Sequence, residues 1–103
     1  MVSAALVGVW DVRIKTPIGT LSVMYTFTER NGVLSATATG AHETVPVTDI
    51  VCTGEDTVTW RQTVSRPMRL HLRFDIRVDG DRLDGYSRAG RLPRSVVSGV
   101  RRR

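Results

Sequence analysis

Cysteine appears once in this sequence, at Cys52. A lone thiol excludes an internal disulfide framework and any all-cysteine metal site, and it suits a reducing compartment. Histidine is almost as scarce. His71 sits among alternating polar positions and His42 in a loop region, so neither a metal centre nor a Ser-His-Asp triad has residues at a suggestive spacing. No metal and no cofactor is expected. No glycine-rich loop follows a strand and opens a helix, which leaves nucleotide chemistry without a phosphate cradle. No apolar run approaches the roughly 18 residues of a membrane span, so no membrane partner is expected. The opening MVSAALVGVW also lacks the basic start and long apolar stretch of a signal peptide, and the chain is expected to work in the cytoplasm.

Lysine, too, appears once (Lys15), against 14 arginines and a formal charge of +5. Such a balance raises nucleic acid or an acidic surface as a partner. The arginines are scattered along the chain apart from the terminal RRR, which reads as a solvated surface and disfavours nucleic acid. The last absence is periodic: no segment of ten or more residues repeats every 3.6 positions, so helix is expected to be minor.

What the chain does have is alternation. In PMRLHLRFDIRVDG, residues 67–80, apolar Met68, Leu70, Leu72, Phe74, Ile76 and Val78 interleave with polar Arg69, His71, Arg73, Asp75, Arg77 and Asp79. This is the period of a strand with one buried face. Seven further segments read the same way, at about 6–15, 18–29, 33–39, 43–52, 58–64, 82–89 and 94–101. Asn31-Gly32 marks a two-residue hairpin, because both residues tolerate the positive φ of a type I′ turn. Pro46 marks an edge, a bulge or a break in the fourth strand.

Eight sequential strands with short links form an antiparallel meander, and pairing the eighth with the first removes both exposed edges. The expected fold is therefore all-β: one domain, residues 1–103, closed as an eight-stranded up-and-down β-barrel. A barrel of that size is either filled by its side chains or holds one small ligand.

Gly8-Val9-Trp10 on the first strand and the closing SGVR resemble the calycin superfamily of lipocalins, fatty-acid-binding proteins and avidin-like barrels. In lipocalins a Gly-x-Trp places its Trp at the closed end of the barrel, and a basic residue near the last strand packs across it. The resemblance implies those roles for Trp10 and Arg101. The chain is shorter than a lipocalin and has no C-terminal helix, which moves the likeness toward avidin-like barrels, although their biotin-binding pattern is absent. In size and architecture it is also similar to cofactor-free polyketide cyclases such as the spirotetronate cyclases.

Parity sorts the interior. Strand six supplies bulk, whereas the third offers Leu34, Ala36 and Ala38, and the seventh Leu83, Gly85, Ser87 and Ala89. Two thin walls either draw inward or leave a chamber lined by Phe27, Ala36, Ala38, Leu72, Phe74 and Ser87, suited to an apolar organic molecule. The inward polar groups are few: the Tyr25 hydroxyl, the Trp60 indole, the Gln62 amide, the Ser87 hydroxyl and, by parity, Asp49. Tyr25, Trp60 and Gln62 are the candidates for a hydrogen bond that polarises a bound carbonyl. Confinement of a flexible substrate can supply about 7 to 11 kcal/mol in favourable intramolecular cases.

The expected function is binding of a small, mainly apolar metabolite, with cofactor-independent cyclisation or isomerisation in natural-product biosynthesis as its catalytic form. A non-catalytic carrier is the alternative, and nucleic-acid binding through Arg69, His71, Arg73 and Arg77 is a third. The same basic stripe could pack in a homodimer, with Asp75 facing an arginine of the other copy.

Overall fold

A computed structural model describes residues 2–16, 19–65 and 69–102. After a short helix α1 (Val2–Leu6) come eight strands: β1 (Gly8–Thr16), β2 (Gly19–Arg30), β3 (Val33–Thr39), β4 (Thr44–Cys52), β5 (Thr57–Val64), β6 (Leu70–Asp79), β7 (Arg82–Ala89) and β8 (Ser95–Arg101). Each strand pairs antiparallel with its successor, and β8 pairs with β1 to close the barrel. The order is up-and-down, as the meander requires. Residues 67 and 68, the start of the alternating stretch, lie outside the described residues.

Alternation explains the wall. Phe74, Ile76 and Val78 of β6 are buried, while Arg73, Asp75 and Arg77 between them are exposed. Because side chains in a strand point to alternate faces, this sequence has one register that buries its apolar set. Asn31 (φ 53°) and Gly32 (φ 78°) make the expected hairpin turn between β2 and β3.

Two expectations are corrected. The first strand does not begin at residue 6: Leu6 ends α1, and the strand starts at Gly8. A five-residue helix is too short to register as a period. What holds it is the barrel, since α1 packs on β2 and β6 and Leu6 is fully buried. The second correction concerns β4. Pro46 stays in register opposite Thr37, and the irregularity falls later, between Thr48 and Val51. There Asp49 takes φ 53°, and its side chain is exposed rather than inward. An extra residue in one strand reverses parity beyond it.

The α1 end is sealed. Trp10 is fully buried, and its Nε1 donates to the Leu6 carbonyl at 2.9 Å. The Arg101 guanidinium lies 4.4 Å from the centroid of the Trp10 ring, donates to the Val7 carbonyl at 2.5 Å and to the Ala5 carbonyl, and pairs with Asp81 at 3.0 Å. Helix-terminal carbonyls that lack intrahelical partners are thus met by one arginine and one indole. Gly8 leaves the guanidinium room, since a Cβ there would lie 2.9 Å from Arg101 Nη1.

The tightest backbone approach is between β6 and β7, where a Cβ on Gly85 would stand 1.9 Å from the Asp75 carbonyl oxygen. Gly85→Ala is expected to cost at least ~2 kcal/mol in urea unfolding, because backbone rather than a flexible side chain must move. Gly40→Ala, whose Cβ would find only the Glu43 carbonyl at 4.0 Å, should stay within about 0.5 kcal/mol of the parent.

Candidate functional site

Closing one end fixes where a ligand could enter. The β1–β2, β3–β4, β5–β6 and β7–β8 connections all lie at the end opposite α1, so any mouth is there. On that side β5 carries Gln62 and Val64, β6 begins with Leu70 and Leu72, and β7 finishes with Ser87 and Ala89. Gln62 and Ser87 are buried. Leu72, Val23, Val45 and Ala89 are half-buried, so the inward face at this end is apolar but not fully closed off from solvent.

The centre itself is packed with rings. Tyr25, Phe27, Trp60 and Phe74 are all fully or almost fully buried. Trp60 stacks on Phe74 at 5.3 Å between centroids, meets Phe27 edge-on at 5.3 Å and lies tilted against Tyr25 at 5.4 Å. Such offset and edge-to-face geometries are the favourable ones for aromatic pairs. The thin walls are what make room for them. Ala36 is the cross-strand partner of Phe27, Ala38 of Tyr25, and Ser87 of Phe74. Small residues beside large ones let rings from opposite walls meet at mid-height, so the chamber expected around these side chains is occupied there by the rings themselves.

The three candidate polar residues come together. The Tyr25 hydroxyl donates to Gln62 Oε1 at 2.7 Å, a buried contact between residues 37 apart in sequence. Burial pushes the Tyr25 phenol well above its ordinary pKa of 10.0, and the neighbouring Trp60 and Gln62 groups only partly oppose that shift. Tyr25 is therefore a neutral donor throughout the physiological range. The Trp60 Nε1 lies near the Tyr25 hydroxyl oxygen without the geometry of a hydrogen bond to it, and is buried with no hydrogen-bond partner among the described residues. An unmet buried donor costs about 1 to 3 kcal/mol. Gln62 is two positions nearer the mouth than Trp60 on β5, which places its amide, and with it the Tyr25–Gln62 hydrogen bond, toward the mouth edge of the ring cluster.

Of the other candidates, Phe27, Ala36, Ala38, Phe74 and Ser87 are buried inward, and Leu72 is half-buried nearer the mouth. Among the described residues no group of three or more His, Cys, Asp and Glu side chains could hold a metal ion. Val23 and Val45, inward by alternation but not among the candidate site residues, pack on the core from the mouth side. Their alternation was visible, but their height along the barrel depends on register.

The closed eight-stranded barrel has solved counterparts. The chain matches a redesigned beta barrel, b11L5F_LGL, with a TM-score of 0.81 at 16% identity over 99% of this chain and 96% of that one. The fold is that of a closed, up-and-down, eight-stranded antiparallel β-barrel. A second redesigned barrel, mFAP1, bound to DFHBI, matches with a TM-score of 0.72 at 16% identity over 98% of each chain. No protein-family model and no curated protein matches the sequence. The likeness to calycins thus holds at the level of the eight-stranded barrel, and neither barrel bears on the likeness to cyclases.

The Tyr25 shift has a pH consequence of definite sign. A group whose pKa is higher in the folded than in the unfolded chain stabilises fully below the unfolded value, near pH 10, and loses that contribution as pH rises from there through the folded value. Unfolding free energy measured against pH should therefore fall above pH ~10 in the parent. In Tyr25→Phe the fall over that window should be visibly shallower.

Proposed function

We propose that the protein binds one small, mainly apolar organic molecule, admitted at the mouth opposite α1 and seated against the ring cluster. The observation that carries this reading is the unpartnered indole N–H of Trp60, buried beside the Tyr25–Gln62 hydrogen bond. A donor kept dry and unmet in an apolar interior suits a ligand that brings an acceptor oxygen or nitrogen. Val23, Val45, Leu72 and Ala89 supply apolar contact on the way in, and Gln62 is the side chain that must turn aside. That mFAP1 is bound to DFHBI supports the reading to the extent that a barrel of similar fold can bind a small organic molecule.

Cyclisation or isomerisation of that molecule is the catalytic form of the same proposal. Trp60 would polarise a ligand carbonyl, and Tyr25, held neutral by burial, would donate a second hydrogen bond once released from Gln62. A carrier uses the same groups for orientation alone, and turnover separates the two.

Calorimetric titration with DFHBI, apolar lactones, polyene acids and aromatic polyketides is the test. One class should bind saturably with one-to-one stoichiometry. Trp60→Phe should weaken it about three- to tenfold, the value of one net hydrogen bond. Saturable binding that Trp60→Phe leaves unchanged would overturn the assigned role of the indole, and no binding by any class would overturn the reading as a whole.

A further inference from the structure

The outer wall carries a second feature, independent of the interior. Strand pairing sets Arg61 of β5 directly opposite Arg73 of β6, and Arg73 directly opposite Arg88 of β7. All three side chains are exposed. Adjacent strands lie about 4.8 Å apart, so the Cα atoms of three arginines cross the wall in one row of roughly 10 Å. Like charges directly opposite one another destabilise a sheet. Among the described residues the row has one ion-pair partner, Asp75, at 3.9 Å from Arg73, and an exposed pair at that distance offsets little.

The row continues toward the mouth. Arg69 opens the approach to β6, and Arg91 and Arg94 stand exposed in the β7–β8 connection. Between these two arginines Leu92 is 55% exposed, and Tyr86, at 44%, carries the Arg94 guanidinium 4.2 Å from its ring centroid. Glu43, bonded to Ser65, stands at the mouth end and Asp49 lies on the wall beside the row, but most of the remaining carboxylates are toward the other end. Glu55 and Asp56 lie between β4 and β5, and Asp79, Asp81 and Asp84 cluster around the β6–β7 turn, all on the side of α1. The mouth half is electropositive on its β5–β7 flank, and the sealed half is not.

We infer that this flank docks the barrel on an anionic lipid bilayer, with the arginine row and Arg91 and Arg94 on headgroups and Leu92 at the acyl boundary. The combination of arginines with an exposed leucine and an interfacial tyrosine is what suits a bilayer surface. A nucleic acid would want a free aromatic face for stacking, and the Tyr86 ring is instead covered by Arg94. The absence of a spanning segment does not bear on a peripheral contact. The arrangement brings the mouth to the phase in which an apolar molecule dissolves, yet the docking itself requires no ligand.

Sedimentation of the ligand-free full chain with vesicles tests it. Binding to phosphatidylcholine vesicles containing phosphatidylglycerol is expected, with little binding to phosphatidylcholine alone and release at high salt. The variant Arg61→Gln/Arg73→Gln/Arg88→Gln should bind on the order of 100-fold more weakly, the combined effect of three near-surface arginines. It should melt no lower than the parent, because like-charge neighbours have been removed. Arg77→Gln/Arg82→Gln, on the sealed half, should bind as the parent does. Equal affinity for neutral vesicles, displacement from vesicles by soluble glycerol phosphate, or a DNA duplex that binds the parent more tightly than vesicles and loses affinity in the triple variant would each overturn the inference. Since no ligand is present, none of these outcomes touches the reading of the interior.

Discussion

The pairing of β8 with β1 is the constraint on which the rest of the molecule depends. It joins the two ends of the chain in one ladder, from Trp10 opposite Arg101 to Lys15 opposite Val96, and so turns a meander into a barrel with no free edge. The closure is reinforced where it is most exposed to fraying. Arg101 ends β8, lies across the Trp10 ring and holds the last carbonyls of α1, so one side chain ties the C-terminal strand, the first strand and the plug together. Such long-range pairing carries a loop-closure cost that local contacts do not, which makes the Trp10–Arg101 junction its natural stabiliser.

Sealing one end gives the other its meaning. Rings from β2, β5 and β6 meet in the middle because β3 and β7 present alanine, serine and glycine beside them, and Gln62, bonded to the Tyr25 hydroxyl, lies on the mouthward side of Trp60. The interior is neither a solid plug from end to end nor an open tube. It has an aromatic centre that carries a neutral phenol, an amide and an unmet indole N–H, with half-buried Val23, Val45, Leu72 and Ala89 on the mouthward side.

Much of this was legible in the residues. Strict alternation along strand six could only be a wall with a wet face, Asn31-Gly32 announced its hairpin, and Gly8-Val9-Trp10 with Arg101 pointed to the sealed end. Other features depend on pairing that no local pattern encodes. Helix α1 is shorter than two turns, so its periodicity carried no signal. Asp49 was placed inward by parity, and a bulge centred on it turned the side chain out. Tyr25 and Gln62 were each suspected, but that one donates to the other follows from barrel closure across 37 residues. The basic stripe of strand six was evident, whereas its extension sideways through Arg61 and Arg88 needed the register of three strands.

The most direct test is the Trp60 indole resonance in a nitrogen-15 proton correlation spectrum, followed as the best ligand of the calorimetric panel is added to saturation. A donor that gains its first acceptor should move downfield and exchange more slowly with solvent, while the Trp10 indole, already bonded to the Leu6 carbonyl, stays where it is. A ligand that saturates the protein and leaves the Trp60 indole resonance unmoved would contradict an interior site built around that donor.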